Sequence, residues 1–158
     1  MKTPLLIFAS LVSKNTVHVI LAEDDGDDRG IFLEAMNEVV PHAIIEIAEN
    51  GEQLMQKLLK EDALLPDIVF LDLNMPGKNG HKCLKEIRDS EKLKSMPVII
   101  YSTTEAPEDI DKTFEEGASL YLPKPHSFSD LKAMLTKIFA IEWNEFIKPE
   151  KDNFIAGK

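Results

Sequence analysis

The chain has 158 residues, most simply a single domain, and its apolar fraction of 44% is ordinary for a globular protein with a buried core. Its formal net charge of −10 argues against direct binding of DNA, which needs a basic surface. The single cysteine, Cys83, cannot form a disulfide within the chain and fits a reducing compartment, so we expect packing for this side chain and a cytoplasmic protein.

The first residues, MKTPLLIFASLV, combine one lysine with a short apolar run. They resemble a weak signal peptide, but the run is far too short to span a bilayer. We interpret residues 1–16 as an N-terminal extension or as the result of a misplaced start, and we expect no membrane attachment.

Five short apolar segments predict buried strands, and helical periodicity follows each of them. The predicted strands are VHVILAEDD (17–25), AIIEIAEN (43–50), DIVFLD (67–72), VIIYS (98–102) and SLYLPKP (119–125). The predicted helices lie within 27–40, 51–59, 81–93, 107–117 and 127–143, with Asn50 and either Ser127 or Ser129 as N-caps.

This alternation predicts an α/β fold in which helices cover both faces of a doubly wound, five-stranded parallel sheet. We place the domain at residues 17–140. Residues 141–158 are expected to form a C-terminal tail, polar and loose from residue 144, with no output domain.

Chemically useful side chains follow four of the predicted strands. The first strand ends at Glu23 and Asp24, the third at Asp72 and the fourth at Ser102, and the fifth leads to Lys124. In a doubly wound sheet the carboxyl ends of the strands share one edge, where ligands bind. Each residue alone would more often be a cap or a surface residue, and only their common position at one edge indicates a functional site.

Crowded carboxylates repel one another unless a positive charge lies among them. A hard divalent cation with oxygen ligands is the natural partner, and Mg²⁺ suits one or two carboxylates together with a phosphate. With such an ion present, Asp72 could act as a nucleophile and become an acyl phosphate. Asp25 extends the acidic run, and we interpret it as a loop acid outside the metal site.

From about Val17 to Phe139 the chain resembles the receiver domains of two-component response regulators. Four segments carry the resemblance: AEDD, FLDLNMPGKNG, PVIIYSTT and YLPKP. Each is short, but the ordered set is highly specific. The resemblance implies the flavodoxin-like strand order 2-1-3-4-5. It also implies a phosphoacceptor, Asp72, and a Mg²⁺ (or Mn²⁺) site made by Glu23, Asp24, Asp72 and the backbone carbonyl of Asn74.

The same resemblance implies roles for residues around the phosphoryl group. Ser102, followed by Thr103, and Lys124 would contact phosphoryl oxygens, and Tyr121 would be the aromatic switch residue. Asn74 and Thr104 match positions that tune hydrolysis. The Lys124–Pro125 bond would be cis. His81, after Gly80, is interpreted as a surface residue.

The implied function is a single-domain response regulator. It would accept a phosphoryl group on Asp72 from a sensor histidine kinase or histidine phosphotransfer protein, and then change conformation to control a partner or pass phosphate along a relay. Beyond its own phosphorylation and dephosphorylation it would not be an enzyme. The resemblance leaves open the kinase, the downstream protein and the oligomeric state.

Two other functions compete with this one. A receiver fold could persist as an inert protein-binding module, although the acceptor, the acids, Ser102 and Lys124 are all present. A haloacid-dehalogenase-like phosphatase also uses a strand-end aspartate, a hydroxyl, a lysine and Mg²⁺. Such phosphatases typically have Asp-x-Asp on the first strand, whereas here Asp72 follows the third strand and Asn74 holds the second position.

Overall fold

The computed structural model describes residues 16–146 and 148–157. Within these residues five parallel strands form one sheet in the order β2-β1-β3-β4-β5. The strands are β1 (His18–Ala22), β2 (Ile44–Ala48), β3 (Ile68–Leu71), β4 (Val98–Ser102) and β5 (Leu120–Pro123). The doubly wound fold and its strand order are therefore confirmed.

Five α-helices alternate with the strands in the described part of the chain: α1 (Gly26–Val39), α2 (Gly51–Leu59), α3 (Gly80–Asp89), α4 (Pro107–Glu115) and α5 (Phe128–Phe139). Asn50 caps α2 as predicted, because its side chain accepts a hydrogen bond from the Gln53 N–H at 2.8 Å. Ser127 rather than Ser129 caps α5 by accepting from the Asp130 N–H at 3.0 Å. None of these helices is long and apolar enough to cross a membrane.

The core lies on both faces of the sheet, as the uninterrupted apolar strands require. Every residue of β3 and β4 is buried. One face is covered by α1 and α5, and the other by α2, α3 and α4. Cys83 is buried in the part of the core that α2, α3 and α4 cover, so its expected packing role is confirmed. Burial raises the pKa of its thiol to about 11.

The C-terminal segment is not the loose tail that its polarity predicted. The side chain of Phe154 is fully buried, with its ring centroid 5.1 Å from that of Phe114 and 6.2 Å from that of Tyr121. The Tyr121 N–H donates to the Phe154 carbonyl at 3.0 Å, and the Ala156 N–H donates to the Tyr121 carbonyl at 2.8 Å. An edge strand exposes unpaired backbone groups, and here residues 154–156 pair with those of Tyr121 in β5.

Of the N-terminal extension interpreted at residues 1–16, only Thr16 lies within the described residues. The helices and strands of the described domain run from His18 to Phe139. Beyond them, two short 3₁₀ turns, Trp143–Glu145 and Lys151–Asn153, precede the segment that pairs with β5.

Candidate functional site

Three carboxylates meet where β1 and β3 end. The Asp72 N–H donates to the Ala22 carbonyl at 3.0 Å, and the Glu23 N–H donates to the Ala48 carbonyl at 2.9 Å. The sheet hydrogen bonding therefore continues one residue past each strand and fixes the backbone of both acids. As a result, carboxylate oxygens of Glu23, Asp24 and Asp72 lie within 4.8 Å of one another.

The loop after Asp72 lies closely over the end of β3. A Cβ atom at Gly80 would come within 2.4 Å of the Asp72 carbonyl oxygen and 2.8 Å of the Leu73 Cα, distances that only glycine avoids. The Gly80 N–H donates to the Leu73 carbonyl at 3.1 Å, while Asn79 caps α3 through the Lys82 N–H. The loop thereby holds Asp72 at the sheet edge, where its side chain is almost entirely buried.

Lys124 brings a positive charge to these acids. Its backbone N–H donates to the Ser102 carbonyl at 2.8 Å, which extends the pairing of β4 with β5. Its ammonium lies 2.8 Å from a carboxylate oxygen of Glu23, 2.8 Å from one of Asp28 and 3.7 Å from one of Asp72. One cation is therefore shared by three acids that come from two segments of the chain.

The electrostatics of the site favour additional positive charge. Burial raises the pKa of Glu23 to about 7, although the hydrogen bond from Lys124 opposes this shift. Burial also raises the pKa of Asp72, against the attraction of Lys124. For Lys124, burial alone would lower the pKa, but the hydrogen bonds to Asp28 and Glu23 outweigh burial and raise the pKa above its usual value. This side chain therefore stays charged.

The oxygen atoms of the three acids fit a divalent metal ion. Hard cations such as Mg²⁺ take oxygen ligands, and here three carboxylates offer them from one small volume. Glu23 is fully buried, whereas Asp24 is exposed and so accessible to a hydrated ion. Glu23, Asp24 and Asp72, predicted as metal ligands from the sequence, are thus brought together.

A second group of polar residues lies beyond β4. Ser102 is buried, and its hydroxyl accepts a hydrogen bond from the Thr104 N–H at 3.2 Å. The buried Tyr121 donates its hydroxyl to the Thr104 carbonyl at 2.6 Å, and the Asn74 amide donates to the Thr104 hydroxyl at 3.2 Å. Asn74 and Thr104, predicted to tune hydrolysis together, are in contact, whereas Thr103 is exposed.

One sequence prediction at the site is wrong, and the interpretation of His81 holds in part. No peptide bond among the described residues is cis, and this includes the Lys124–Pro125 bond. The trans form is the lower-energy state of a bond to proline by about 0.5–1 kcal/mol, and the local sequence does not reverse that preference. His81, interpreted as a surface residue, is partly exposed, and its ring lies 2.6 Å from Glu116 and 3.6 Å from Asp109 at the end and start of α4.

Two further acids lie close to the site: Asp25 caps a helix, and Asp28 pairs with Lys124. Asp25 caps α1 by accepting from the Asp28 N–H at 2.9 Å, a hydrogen bond that lowers the pKa of its carboxyl and confirms its place outside the metal cluster. Asp28, in the first turn of α1, was missed. The sequence placed both Asp27 and Asp28 in the helical turn that follows the acidic loop, but it did not tell which of them reaches Lys124.

Comparison with known proteins agrees with this geometry. The response regulator receiver domain matches residues 19–136. The chain is 30% identical over 125 residues to the response regulator Rcp1 of Synechocystis sp., which covers 76% of this chain and 84% of that protein. It is 29% identical over 131 residues to the probable methanogenesis regulatory protein FilR2 of Methanothrix harundinacea, which covers 80% of this chain and 84% of that protein.

Solved structures give the same result. The Mn²⁺-bound form of Rcp1 superposes with a TM-score of 0.72 at 26% identity, covering 84% of this chain and 99% of that one. The phosphorylated cyanobacterial phytochrome response regulator RcpA superposes with a TM-score of 0.73 at 28% identity, covering 85% and 99%. The fold, the acidic cluster and the match over most of the length place this chain in the response regulator receiver domain family.

Proposed function

We propose that this protein is a phosphorylation-driven signalling switch with Asp72 as its phosphoacceptor. A single observation carries the proposal: the nearly buried Asp72 carboxylate lies between two further acids and a lysine ammonium at 3.7 Å. A carboxylate in such a place is costly to bury unless it is paired with positive charge. The arrangement provides that charge: Lys124 lies nearest to Oδ2 of Asp72, while Oδ1 accepts a hydrogen bond from the Asn74 N–H at 3.3 Å.

The chemistry follows from the geometry of these side chains. A carboxylate oxygen of Asp72 attacks the phosphorus atom of a donor, and the bond from phosphorus to the donor's leaving nitrogen or oxygen breaks, its electron pair staying with the donor. Glu23 and Asp24 would hold the metal ion with Asp72. When bound there, Mg²⁺ (or Mn²⁺) supplies positive charge that neutralises the oxygens of the incoming phosphoryl group.

Lys124 and Ser102 supply the response to phosphorylation. The phosphoryl group adds roughly one negative charge to Asp72 at neutral pH. Lys124 can pair with it, and the buried Ser102 hydroxyl can donate to one of its oxygens. Ser102 already contacts the Thr104 backbone, and Thr104 contacts Tyr121, so a shift of this loop changes the environment of Tyr121.

The partners of such a switch are proteins. The donor would be a sensor histidine kinase or a histidine phosphotransfer protein, and the receiver would act on a downstream protein or pass phosphate along a relay. One protein of similar structure, with a TM-score of 0.74, is a response regulator in red light signalling of R. palustris. We place this protein in the cytoplasm and assign it no catalysis beyond its own phosphorylation and dephosphorylation.

The test is incubation with acetyl phosphate and Mg²⁺ followed by intact mass measurement. We expect one phosphoryl adduct, which is lost with EDTA and absent in Asp72→Asn. The matched control is Asp67→Asn, which makes the same substitution at the exposed amino end of β3. No adduct on the folded wild-type protein, with a verified donor, would favour a receiver restricted to its kinase or an inert protein-binding module, and beryllofluoride binding would separate these two.

A further inference from the structure

Asp28 shares the ammonium of Lys124 with Glu23 and Asp72. The Lys124–Asp28 distance is 2.8 Å, equal to the Lys124–Glu23 distance and 0.9 Å shorter than the 3.7 Å to Asp72. The Lys124 side chain is 11% exposed, Glu23 is 1% exposed and Asp28 is 35% exposed. Asp28 is therefore the partner of Lys124 on the solvent side of the site.

The position of Asp28 is fixed by the start of α1. Its N–H donates to the capping carboxylate of Asp25 at 2.9 Å. The next residue, Arg29, donates to the carbonyls of Glu23 and Asp24 at 3.0 and 2.9 Å. This first turn is thus tied to the acidic loop, so the Asp28 carboxylate is held close to Lys124.

The proposed chemistry of Asp72 turns this contact into a competition. A phosphoryl group on Asp72 attracts Lys124 more strongly than the carboxylate does, because it carries more negative charge and more acceptor oxygens. Asp28, whose carboxylate already lies 2.8 Å from the ammonium, competes with that group for the same cation. An interaction that is stronger in one state than in the other shifts the equilibrium between them.

We propose that Asp28 is a positioning residue that retains Lys124 in the unphosphorylated state and so sets how readily the receiver is activated. The inference rests on the proposed function of Asp72. Its effect acts through Lys124, since Asp28 is outside the group of three acids whose oxygens could hold a metal ion. Because Asp28 is partly exposed, solvent and salt weaken the pair, and we expect an effect of about two- to fivefold on an equilibrium constant.

The experiment measures beryllofluoride affinity at saturating Mg²⁺ by isothermal titration calorimetry. Beryllofluoride binds to an aspartate as a mimic of its phosphorylated form. Asp28→Asn should bind about two- to fivefold more tightly than the wild type. Asp28→Glu keeps the charge and should restore the wild-type affinity, and Asp28→Ser should behave as Asp28→Asn does.

The matched control is Asp27→Asn, since Asp27 is exposed in the same first helical turn. This variant removes the same charge without removing a partner of Lys124. It therefore measures how much beryllofluoride affinity rises simply because one negative charge near the site is lost. If Asp28→Asn and Asp27→Asn bind equally, or if Asp28→Asn binds more weakly than the wild type, the role of Asp28 is overturned. If neither the wild type nor any variant binds beryllofluoride or forms the acetyl phosphate adduct, the proposed function of Asp72 fails instead.

Discussion

The ammonium of Lys124 lies 2.8 Å from a carboxylate oxygen of Glu23, although the two residues are 101 positions apart in the chain. Glu23 follows the interior strand β1 and Lys124 follows the edge strand β5. This ion pair therefore joins the two ends of the site, and it places a fixed positive charge beside Asp72.

Replacement of Lys124 by methionine should destabilise the protein in a pH-dependent way. At pH 8 the buried Glu23 carboxylate loses its partner, and we expect the free energy of unfolding to fall by about 1–3 kcal/mol. At pH 6 the loss should be smaller, because Glu23, with a pKa of about 7, is already mostly protonated. Urea unfolding at both pH values measures the difference.

The control for that substitution is Lys94→Met. Lys94 pairs with Glu91 at 2.8 Å, but both side chains are largely exposed. Such a pair contributes less than about 1 kcal/mol, and its loss should cost the same at pH 6 and pH 8. Equal destabilisation by Lys124→Met at the two pH values would contradict the assigned ionisation of Glu23.

Metal-free protein should become less stable as the pH rises through 7. Burial raises the pKa of Glu23 from 4.5 to about 7, so between these values the folded state binds more protons than the unfolded state. The stability from this group is fully present below about pH 4.5 and is lost as the pH rises through about 7. The raised pKa of Asp72 acts in the same direction.

Denaturant unfolding between pH 5 and pH 8, with and without Mg²⁺, tests this dependence. Mg²⁺ should stabilise the protein more at pH 8 than at pH 5.5, because the ion binds the deprotonated carboxylates. Glu23→Gln removes one titrating group and should flatten the metal-free decline. The same slope in Glu23→Gln as in the wild type would show that other groups cause it.

Gly80→Ala should destabilise the protein through the loop that holds Asp72. The added Cβ would lie 2.4 Å from the Asp72 carbonyl oxygen, and backbone cannot yield as a flexible side chain does. We expect a loss of about 1–3 kcal/mol, measured by thermal or urea unfolding. Gly30→Ala in α1 is the control, because its Cβ would meet nothing within 4 Å and alanine favours helix by about 0.5–1 kcal/mol.

Phe154→Ala should release the C-terminal segment from β5. Truncating a buried phenylalanine costs about 3–5 kcal/mol, but the loss is limited to the docking free energy if the segment detaches. Hydrogen exchange of the Tyr121 amide, which donates to the Phe154 carbonyl, should accelerate. The control, Lys151→Ala, breaks only an exposed pair with Asp111, so it should leave the Tyr121 amide protected. Unchanged exchange of this amide in Phe154→Ala would contradict the docking of the segment.

Much of the fold was predictable because its signals are local. β-branched apolar runs predicted β1 and β3, and capping residues such as Asn50 set where helices begin. In a parallel sheet the strand ends share one edge, so the meeting of Glu23, Asp72 and Lys124 follows once the strands are identified. The strand order came from the family resemblance and not from these patterns.

The features that were missed depend on long-range geometry. The docking of Phe154 requires knowing that β5 is an edge strand whose backbone groups need partners. The choice between Asp27 and Asp28 as the partner of Lys124 depends on the rotation of α1 above the sheet. The isomer of the bond before Pro125 involves only about 0.5–1 kcal/mol, which a short motif does not determine.

The central claim, that Asp72 accepts the phosphoryl group, is tested most directly by locating the phosphoryl group chemically. Protein treated with acetyl phosphate and Mg²⁺ is reduced with borohydride, which converts an aspartyl phosphate to homoserine, and peptide mass spectrometry then finds the converted residue. We predict homoserine at position 72 and at no other acid, with conversion lost when Mg²⁺ is removed. Conversion at Asp24 or Asp28, or an adduct that resists borohydride, would contradict the assignment.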